Sequence, residues 1–427
     1  MLLPSVNRRV VEVDFKGGHV TSNGGSVLLR QIDRKLRLTE GIARRLPDPR
    51  QKSKVSHSML DLLRQRVYSL ACGDEDLNDH HALRHDLALQ TAIDCDSELA
   101  SPSTLCRFEN WATGFTAQAI HEQLVETFIS SHKRPPRRIV LDFDSTPAIT
   151  HGQQEQRFFH GFYDEYCFLP LYVFAGNHLL TALLRPADRD GAYKAGAVLR
   201  LLVKRFRQVW PKVEIVFRAD SGFCRPKILG FCDRNDVKYI VGIATNSRLQ
   251  TLGDRVIRKA KKKFKKTKAK VRLFQSFKYK AHSWDRSRRV IMRMEYTEKG
   301  SNPRFIVTNL KGGKRKLYEK IYCERGDAEN RIKEQKSLFA TRVSCHDFAA
   351  NQLRVLLAGL AYTLLNALRE QALSETKFKT AMVEQICLKL MKIGGVLTRN
   401  SRRVRLMLSS SCPHQVEFRQ ALKALSS

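Results

Sequence analysis

The chain has 427 residues, enough for two or three domains, and its 42% of hydrophobic residues excludes a disordered protein. Lys and Arg number 76 against 42 Asp and Glu, and the net charge of +34 predicts a polyanionic partner, usually nucleic acid. A membrane is not expected as the partner, because the longest apolar run, 355–365, is shorter than the roughly 18–20 residues of a spanning helix. That run is predicted to be a buried core helix.

The N-terminal region, residues 1–135, begins with short strand-like segments and continues with helical periodicity. Residues 101–112 are typical of a capped amphipathic helix. The apolar face of this helix carries Leu105, Phe108 and Trp111. Arg107 would point away from that face, as in a recognition helix, and we therefore predict an N-terminal DNA-binding domain. The alternative is an ordinary amphipathic helix packed on its own domain.

Residues 136–245 have a different pattern, in which apolar runs alternate with helical periods after a proline-rich hinge. The predicted strands are 138–144, 168–176, 178–186, 213–222 and 238–244, and the predicted helices are 191–210 and 225–235. The order β-β-β-α-β-α-β predicts a hairpin meander followed by βα units. The fold class is therefore α/β, with a mixed sheet covered by helices.

The pattern breaks at residues 246–303, which carry a basic tract at 258–272 followed by alternating segments typical of strands. We predict that this tract contacts the phosphate backbone of DNA through Lys261, Lys262, Lys263, Lys265 and Lys266. The alternative is a solvated surface. Residues 304–345 return to a strand and a helix, and residues 346–427 are predicted to be mainly helical.

Three acids end predicted strands. Asp142 and Asp144 end the first strand, and Asp220 ends the fourth. In a β-β-β-α-β sheet these two strands are neighbours, so their terminal acids can converge, and hard carboxylate ligands favour Mg²⁺ or Mn²⁺. The alternative for Asp144 is an Asx turn, because Ser145 and Thr146 follow it.

The segment YCERGDAENRIKEQK, 322–336, contains four acids. At about 100° per residue, a stripe about 60° wide is formed by Tyr322, Arg325, Glu329 and Lys336. Glu324, Asp327 and Glu334 fall on the opposite, outer face. Glu329 alone therefore lies at the margin of the apolar face, and the alternative to a chemical role is an ordinary helical pair with Arg325 or Lys333.

These residues resemble a known family. The spacing Tyr322-(2)-Arg325-(3)-Glu329-(6)-Lys336 is similar to the signature of DDE transposases from bacterial insertion sequences. ADSGF around Asp220 resembles the second-aspartate motif of that group, and LDFDST around Asp144 resembles the first. The runs DLNDHHALRHD, LASPSTLCRFEN and YIVGIATNSRL resemble insertion-sequence family 1380 in particular, and the likeness covers nearly the whole chain.

The resemblance implies an RNase H-like catalytic core, formed by residues 136–245 and 304–345 and interrupted by a mostly β insertion at 246–303. It implies that Asp144, Asp220 and Glu329 are a catalytic triad holding two Mg²⁺ or Mn²⁺ ions. Asp144 is chosen over Asp142 because Ser-Thr follows it, as in the family motif. Asp142 faces the same way and either assists or is buried below. Tyr322, Arg325 and Lys336 would hold DNA.

The implied function is cut-and-paste transposition, in which water nicks DNA at transposon ends and the freed 3′-hydroxyl attacks the opposite strand or the target, so that the flanking cut passes through a hairpin. The partners would be terminal inverted repeats and target DNA, with a homodimer pairing the ends. Ten cysteines without a CxxC motif predict a reducing cytoplasm, here that of a bacterium and close to its nucleoid. The alternatives are a metal-dependent structure-specific nuclease and a non-catalytic protein that binds terminal repeats.

Overall fold

A computed structural model describes residues 1–426 of the chain. The chain divides into two compact units. Unit 1 contains Met1–Gln123, Glu334–Ala340 and the chain from Ala349 to the end of the described residues. Unit 2 contains Leu124–Lys333 and Thr341–Phe348. The predicted domain boundaries follow the chain, whereas each compact unit combines segments that are far apart in sequence.

The first part of the chain is largely helical after three short strands. The strands are β1 (Leu2–Val6), β2 (Arg9–Glu12) and β3 (His19–Thr21). The helices are α1 (Ser26–Leu36), α2 (Leu38–Ala43), α3 (Met59–Cys72), α4 (His80–Leu83), α5 (Leu87–Ile93), α6 (Pro102–Asn110) and α7 (Gly114–Ser130). Single 3-10 turns lie at Lys52–Lys54 and Leu77–Asp79.

The middle part supplies most of the strands. These are β4 (Arg138–Ser145), β5 (Ala148–Ile149), β6 (Phe158–His160), β7 (Glu165–Phe168), β8 (Leu171–Ala175), β9 (His178–Leu183), β10 (Glu214–Ala219), β11 (Lys238–Ile243), β12 (Val271–Tyr279), β13 (Arg288–Thr297) and β14 (Gly300–Thr308). Between them lie α8 (Ala195–Val209), α9 (Pro226–Arg234) and α10 (Ser247–Thr267), with a 3-10 turn at Ser221–Phe223.

The last part is mainly helical, as predicted, but it also contains a β-hairpin. Its helices are α11 (Lys314–Lys316), α12 (Gly326–Ser337), α13 (Phe348–Gln371), α14 (Val383–Ile386) and α15 (Gln415–Ser426). π-helical turns cover Leu317–Tyr322 and Cys387–Met391, and a 3-10 turn covers Cys323–Arg325. The hairpin consists of β15 (Gly395–Arg399) and β16 (Val404–Leu408).

Unit 2 is built on an eight-stranded mixed sheet in the order β12-β13-β14-β11-β10-β4-β8-β9. Strand β10 runs parallel to both of its neighbours, β4 and β11, while β8 and β14 pair antiparallel. The prediction that the first and fourth strands of this region are neighbours is therefore confirmed. Ile139, Leu141 and Phe143 alternate along β4 and are buried with Leu199 and Phe206 of α8. Burial of each large side chain contributes roughly 1.5–3 kcal/mol, which explains why these apolar runs form the sheet.

The insertion at 246–303 differs from the prediction of a mostly β segment, because it begins with the 21-residue helix α10. The basic tract at 258–267 belongs to this helix. Leu249, Gly253 and Ala260 form its buried face. Lysine, which dominates the other face, is one of the better helix-forming residues. The strands β12 and β13 of the insertion extend the main sheet.

In unit 1, the predicted core helix at 355–365 is part of α13. This helix has the length and composition to span a membrane, but 78% of its most apolar window is buried within the protein, as in the core helix of a globular unit. The predicted helix at 101–112 is α6, and the Ser101 hydroxyl accepts the Thr104 N–H. Leu105 and Phe108 are buried as expected, while Trp111 is half-buried beneath the Arg50 guanidinium.

Candidate active site

Two acids meet at the carboxyl ends of the adjacent parallel strands β4 and β10. The strand register pairs Phe143 with Ala219, so the next residues, Asp144 and Asp220, end the two strands side by side. Asp220 accepts the Gly222 N–H at 2.8 Å and so caps the 3-10 turn that follows β10. The Asx-type bond expected as an alternative role for Asp144 is replaced by a contact with the next backbone N–H, that of Ser145, at 2.9 Å.

Arg325 joins Asp144 to Glu329. Its guanidinium donates from Nη1 to Asp144 Oδ2 at 3.0 Å and from Nη2 to Glu329 Oε1 at 2.6 Å. The Asp144 side chain is 10% exposed, whereas that of Glu329 is 53% exposed. The alternative of a helical Glu329–Arg325 pair predicted the second of these bonds, but the contact of the same arginine with a strand-end aspartate was not predicted.

The electrostatics of Asp144 show that the three acids interact. Burial raises the pKa of Asp144 to about 6, Arg325 and the Ser145 N–H act against this rise, and Asp220 and Glu329 add to it. For Arg325, burial lowers the pKa, but the pull of Asp144, Tyr322 and Glu329 is greater and raises it above the ordinary value. The cluster thus has an excess of negative charge that a cation would stabilise.

Tyr322 lies beside the same acids. Burial raises the pKa of its hydroxyl, Arg325 acts in the opposite direction, and Asp220 raises it further. The hydroxyl lies over Gly242 of β11, where an added side-chain carbon would come within 2.7 Å of Tyr322 Oη and 2.8 Å of the Ser221 nitrogen. A glycine at position 242 is therefore needed for Tyr322 to approach the ends of the strands.

Asp142 and Arg218 form a second, deeper ion pair one step below the strand ends. Arg218 donates from Nε to Asp142 Oδ1 at 2.5 Å and from Nη2 to Asp142 Oδ2 at 2.7 Å. Its Nη1 also donates to the Ile321 carbonyl at 2.6 Å and contacts Glu324 at 3.4 Å. Arg218 thereby ties both aspartate strands to the segment that leads into α12. Arg218 was not among the predicted site residues, although its position two residues before Asp220 was the available signal.

The predicted helical arrangement of residues 322–336 is partly wrong. The π and 3-10 turns before Gly326 depart from 100° per residue, and Glu334, predicted on the outer face, is fully buried. Within unit 1, Glu334 accepts hydrogen bonds from Arg369 at 2.7 Å and from the Val383 N–H at 3.0 Å. A wheel gives the direction of a side chain but not whether another element covers it.

The other predicted DNA contacts lie on exposed surface. Lys336 is exposed on the last turn of α12, in unit 1. Arg107 is exposed on α6, where its guanidinium contacts Thr104 Oγ1 at 3.2 Å. One exposed face of α10 carries Lys261, Lys262, Lys263, Lys265 and Lys266. Their exposure is compatible with DNA binding, which stays a prediction for each of them.

The donor set is suited to a divalent cation, although it is not preformed as a metal cage. Carboxylate oxygens from Asp144, Asp220 and Glu329 are the hard ligands that Mg²⁺ and Mn²⁺ prefer. Within residues 1–426 no three such side chains are arranged as a metal-binding group. Arg325 instead holds two of the three, so an ion would have to take over its place between Asp144 and Glu329.

The fold and this cluster define a mixed α/β protein with acidic side chains gathered at the ends of its central parallel strands. Residues 3–427 match the family model described as Transposase DDE domain group 1. The chain belongs to this family of DDE transposases.

Among solved structures, the chain is similar to a piggyBac transposase, in a cryo-EM structure of its synaptic complex with hairpin DNA. The identity is 8%, the TM-score is 0.44, and the alignment covers 87% of this chain and 80% of the other. No curated protein matches the sequence.

Proposed function

We propose that this member of the DDE transposase family cuts DNA at transposon ends and joins the freed 3′-hydroxyl to target DNA. The observation that carries the proposal is the convergence of Asp144 and Asp220, from two adjacent strand ends, with Glu329 through Arg325. We further propose that the chain belongs to the bacterial insertion-sequence family 1380 and acts in the cytoplasm, at the nucleoid.

The proposed catalytic core is RNase H-like. Five consecutive strands of the main sheet, in the spatial order β9-β8-β4-β10-β11, support it: the first three in sequence form an antiparallel meander, and the last two run parallel to β4. This arrangement puts the acids at the carboxyl ends of central strands, where α/β sheets usually bind their ligands.

Asp144, Asp220 and Glu329 would hold two divalent ions, Mg²⁺ or Mn²⁺, which would activate the attacking hydroxyl and neutralise charge on the leaving oxygen. The residues of the chain itself would orient the DNA. Asp144 provides a buried anchor, while the more exposed Glu329 provides the side from which DNA enters. Arg325, once released from the carboxylates, can place its planar fork on a phosphate.

Other residues would position the DNA. Tyr322 can donate one hydrogen bond to the DNA backbone beside Asp220. Lys336 can attract a DNA phosphate as a point charge. We propose that the N-terminal helices bind the terminal inverted repeats, with Arg107 among the contacts, and that the lysines of α10 hold the phosphate backbone. Pairing of two ends would require a homodimer, and the flanking cut would pass through a hairpin, as the resemblance to the Tyr-Arg-Glu-Lys group implies.

The test incubates purified protein with a labelled duplex carrying a transposon end, a target plasmid and Mg²⁺ or Mn²⁺. Nicking at the end followed by joined products is expected, and a hairpin would be visible on a denaturing gel. Nicking that never gives a joined product would instead identify a structure-specific nuclease. Specific binding without any cleavage would identify a non-catalytic DNA-binding protein.

A further inference from the structure

A cavity of about 260 Å³ lies beside Asp220 in unit 2. Ser221, which follows Asp220, and Tyr322, whose hydroxyl reaches the strand ends, form the wall nearest the acids. Arg293 of β13 and Arg304 of β14 also line the wall of the cavity. The cavity therefore begins at the proposed catalytic site and extends towards the part of the sheet that the insertion adds.

The two arginines of this wall face each other. Arg293 and Arg304 are direct register partners on the antiparallel strands β13 and β14, so their side chains lie on the same face of the sheet. Like charges in such a pair destabilise the sheet. An anion between or above the two guanidinium groups would convert this repulsion into attraction.

The acids of this region do not neutralise the two arginines. Glu295 contacts Arg293 at 3.2 Å, but it is already held by Lys270 at 3.0 Å and Arg272 at 2.7 Å. Arg304 donates from Nε to the Asn302 side-chain oxygen at 3.1 Å, and within residues 1–426 it has no ion pair. The buried Nε of Arg293 has no hydrogen-bond partner in the same described part of the chain. One shared carboxylate therefore leaves a surplus of positive charge at this pair, and the exposed Arg304 guanidinium is accessible to a ligand.

Aromatic rings form the side wall of the cavity. Tyr318 is packed against Tyr322, with ring centroids 5.5 Å apart, and the Arg293 guanidinium lies 5.3 Å from the centre of the Tyr318 ring. This contact helps to hold the Arg293 guanidinium in place, together with the Glu295 carboxylate. A cavity with two guanidinium groups at one end and phenol rings along its side is suited to a phosphate with its sugar, because the fork of arginine fits phosphate oxygens.

We propose that this cavity binds one backbone phosphate of the DNA strand that enters the active site, next to the phosphate that is cut. Arg293 and Arg304 would hold its oxygens, and the Tyr318 ring would keep the Arg293 guanidinium in position. This assignment rests on the proposed function. It gives the β13–β14 part of the sheet a direct role in placing the strand over Asp220.

The experiment combines protein variants with DNA in which single phosphates near the cleavage site are replaced by neutral methylphosphonates. Binding is measured by fluorescence anisotropy without divalent ions, and cleavage is measured with Mg²⁺. In the wild-type protein, neutralising one phosphate should weaken binding by about tenfold, the loss expected for a charged hydrogen-bonded contact. In Arg304→Gln the same replacement should change DNA binding by less than about twofold, because the guanidinium that holds this phosphate is already gone.

Arg304 is exposed, so Arg304→Gln should fold normally, and Arg293→Gln is a second variant whose thermal unfolding is checked first. Lys299→Gln is the matched control, since Lys299 is an exposed cation in the turn of the same β13–β14 hairpin. The control should retain the wild-type sensitivity to methylphosphonate. Additive effects of Arg304→Gln and every single-phosphate replacement would overturn the proposal.

DNA with a single abasic site is bound in the same assay. If the abasic site weakens binding and no neutral phosphate does, the proposal is overturned and the cavity holds a base. If the wild type binds DNA but does not cut it, the proposed catalytic function fails, while the binding measurements still decide the phosphate site. If the wild type does not bind DNA at all, both proposals fail.

Discussion

Two acids on one strand, Asp142 and Asp144, have opposite surroundings although each is paired with an arginine. Asp142 pairs with Arg218 of the neighbouring strand, and the two side chains are 4% and 7% exposed. Asp144 pairs with Arg325, which it shares with the half-exposed Glu329. The first pair is closed and ties elements of unit 2 together, whereas the second lies where the strands end and shares its arginine with an exposed acid. A step of two residues along a strand thus separates a structural ion pair from a candidate catalytic one.

The largest effect should follow the loss of one of the three proposed catalytic acids. Asp144→Ala, Asp220→Ala and Glu329→Ala should each lower the cleavage rate by on the order of 10³-fold or more, since each removes a carboxylate that would hold the divalent ions. Binding of the transposon end, measured by anisotropy, should remain. Asp327→Ala, an exposed acid on the same helix, is the control. Cleavage at the wild-type rate by Glu329→Ala would show that its assignment is wrong.

Breaking the deeper ion pair, between Asp142 and Arg218, should lower the stability of the fold. Arg218→Ala leaves Asp142 buried and unpaired and should decrease the free energy of unfolding by about 3–5 kcal/mol, measured by urea denaturation. Arg205→Ala breaks the more exposed pair with Glu126 and should cost less than about 1 kcal/mol. The double change Asp142→Leu with Arg218→Met should recover much of the loss. If Arg218→Ala is as stable as the wild type, the contrast between the two pairs does not hold.

The pKa of Asp144 predicts a dependence of stability on pH. Burial raises this pKa from the ordinary value of 3.8 to about 6, so between these pH values the folded chain keeps a proton that the unfolded chain has lost. The carboxyl group therefore destabilises the folded state progressively as pH rises through this window, by about 2–3 kcal/mol in total. We compare the unfolding free energy of the metal-free wild type with that of Asp144→Asn at pH 4, near the start of the window, and at pH 7, above its end. The value for the wild type, relative to the variant, should fall by this amount between the two pH values. A constant difference would contradict the assigned environment.

The smallest effect is expected outside both pairs, at Lys336. Lys336→Ala should lower the cleavage rate by about tenfold or less, much less than Glu329→Ala, because the carboxylates remain and only one point charge is lost. The salt dependence of DNA binding should decrease by a slope of about one if Lys336 contacts a phosphate. An unchanged slope would show that Lys336 does not contact a phosphate. Lys333→Ala, which changes an exposed lysine of the same helix, serves for comparison.

Much of the candidate site followed from the chain alone. The strand-end positions of Asp144 and Asp220 predicted their proximity, because parallel neighbours end at the same edge of a sheet, and β4 and β10 are such neighbours. The bond between Arg325 and Glu329 followed from their spacing of four residues. The catalytic roles of these residues, and the DNA contacts of Arg107 and the α10 lysines, stay predictions.

By itself, the sequence determined most strands and helices of residues 136–245 and the acids that end two central strands, because these depend on local periodicity, and its motifs showed the resemblance to DDE transposases. Only the tertiary structure decided that Arg218 clamps Asp142, that Glu334 is buried, and that Arg293 and Arg304 face each other beside Asp220. Each of these depends on which elements pack together and in what register. That choice is made by burial and charge summed over the whole fold, and no short segment contains it.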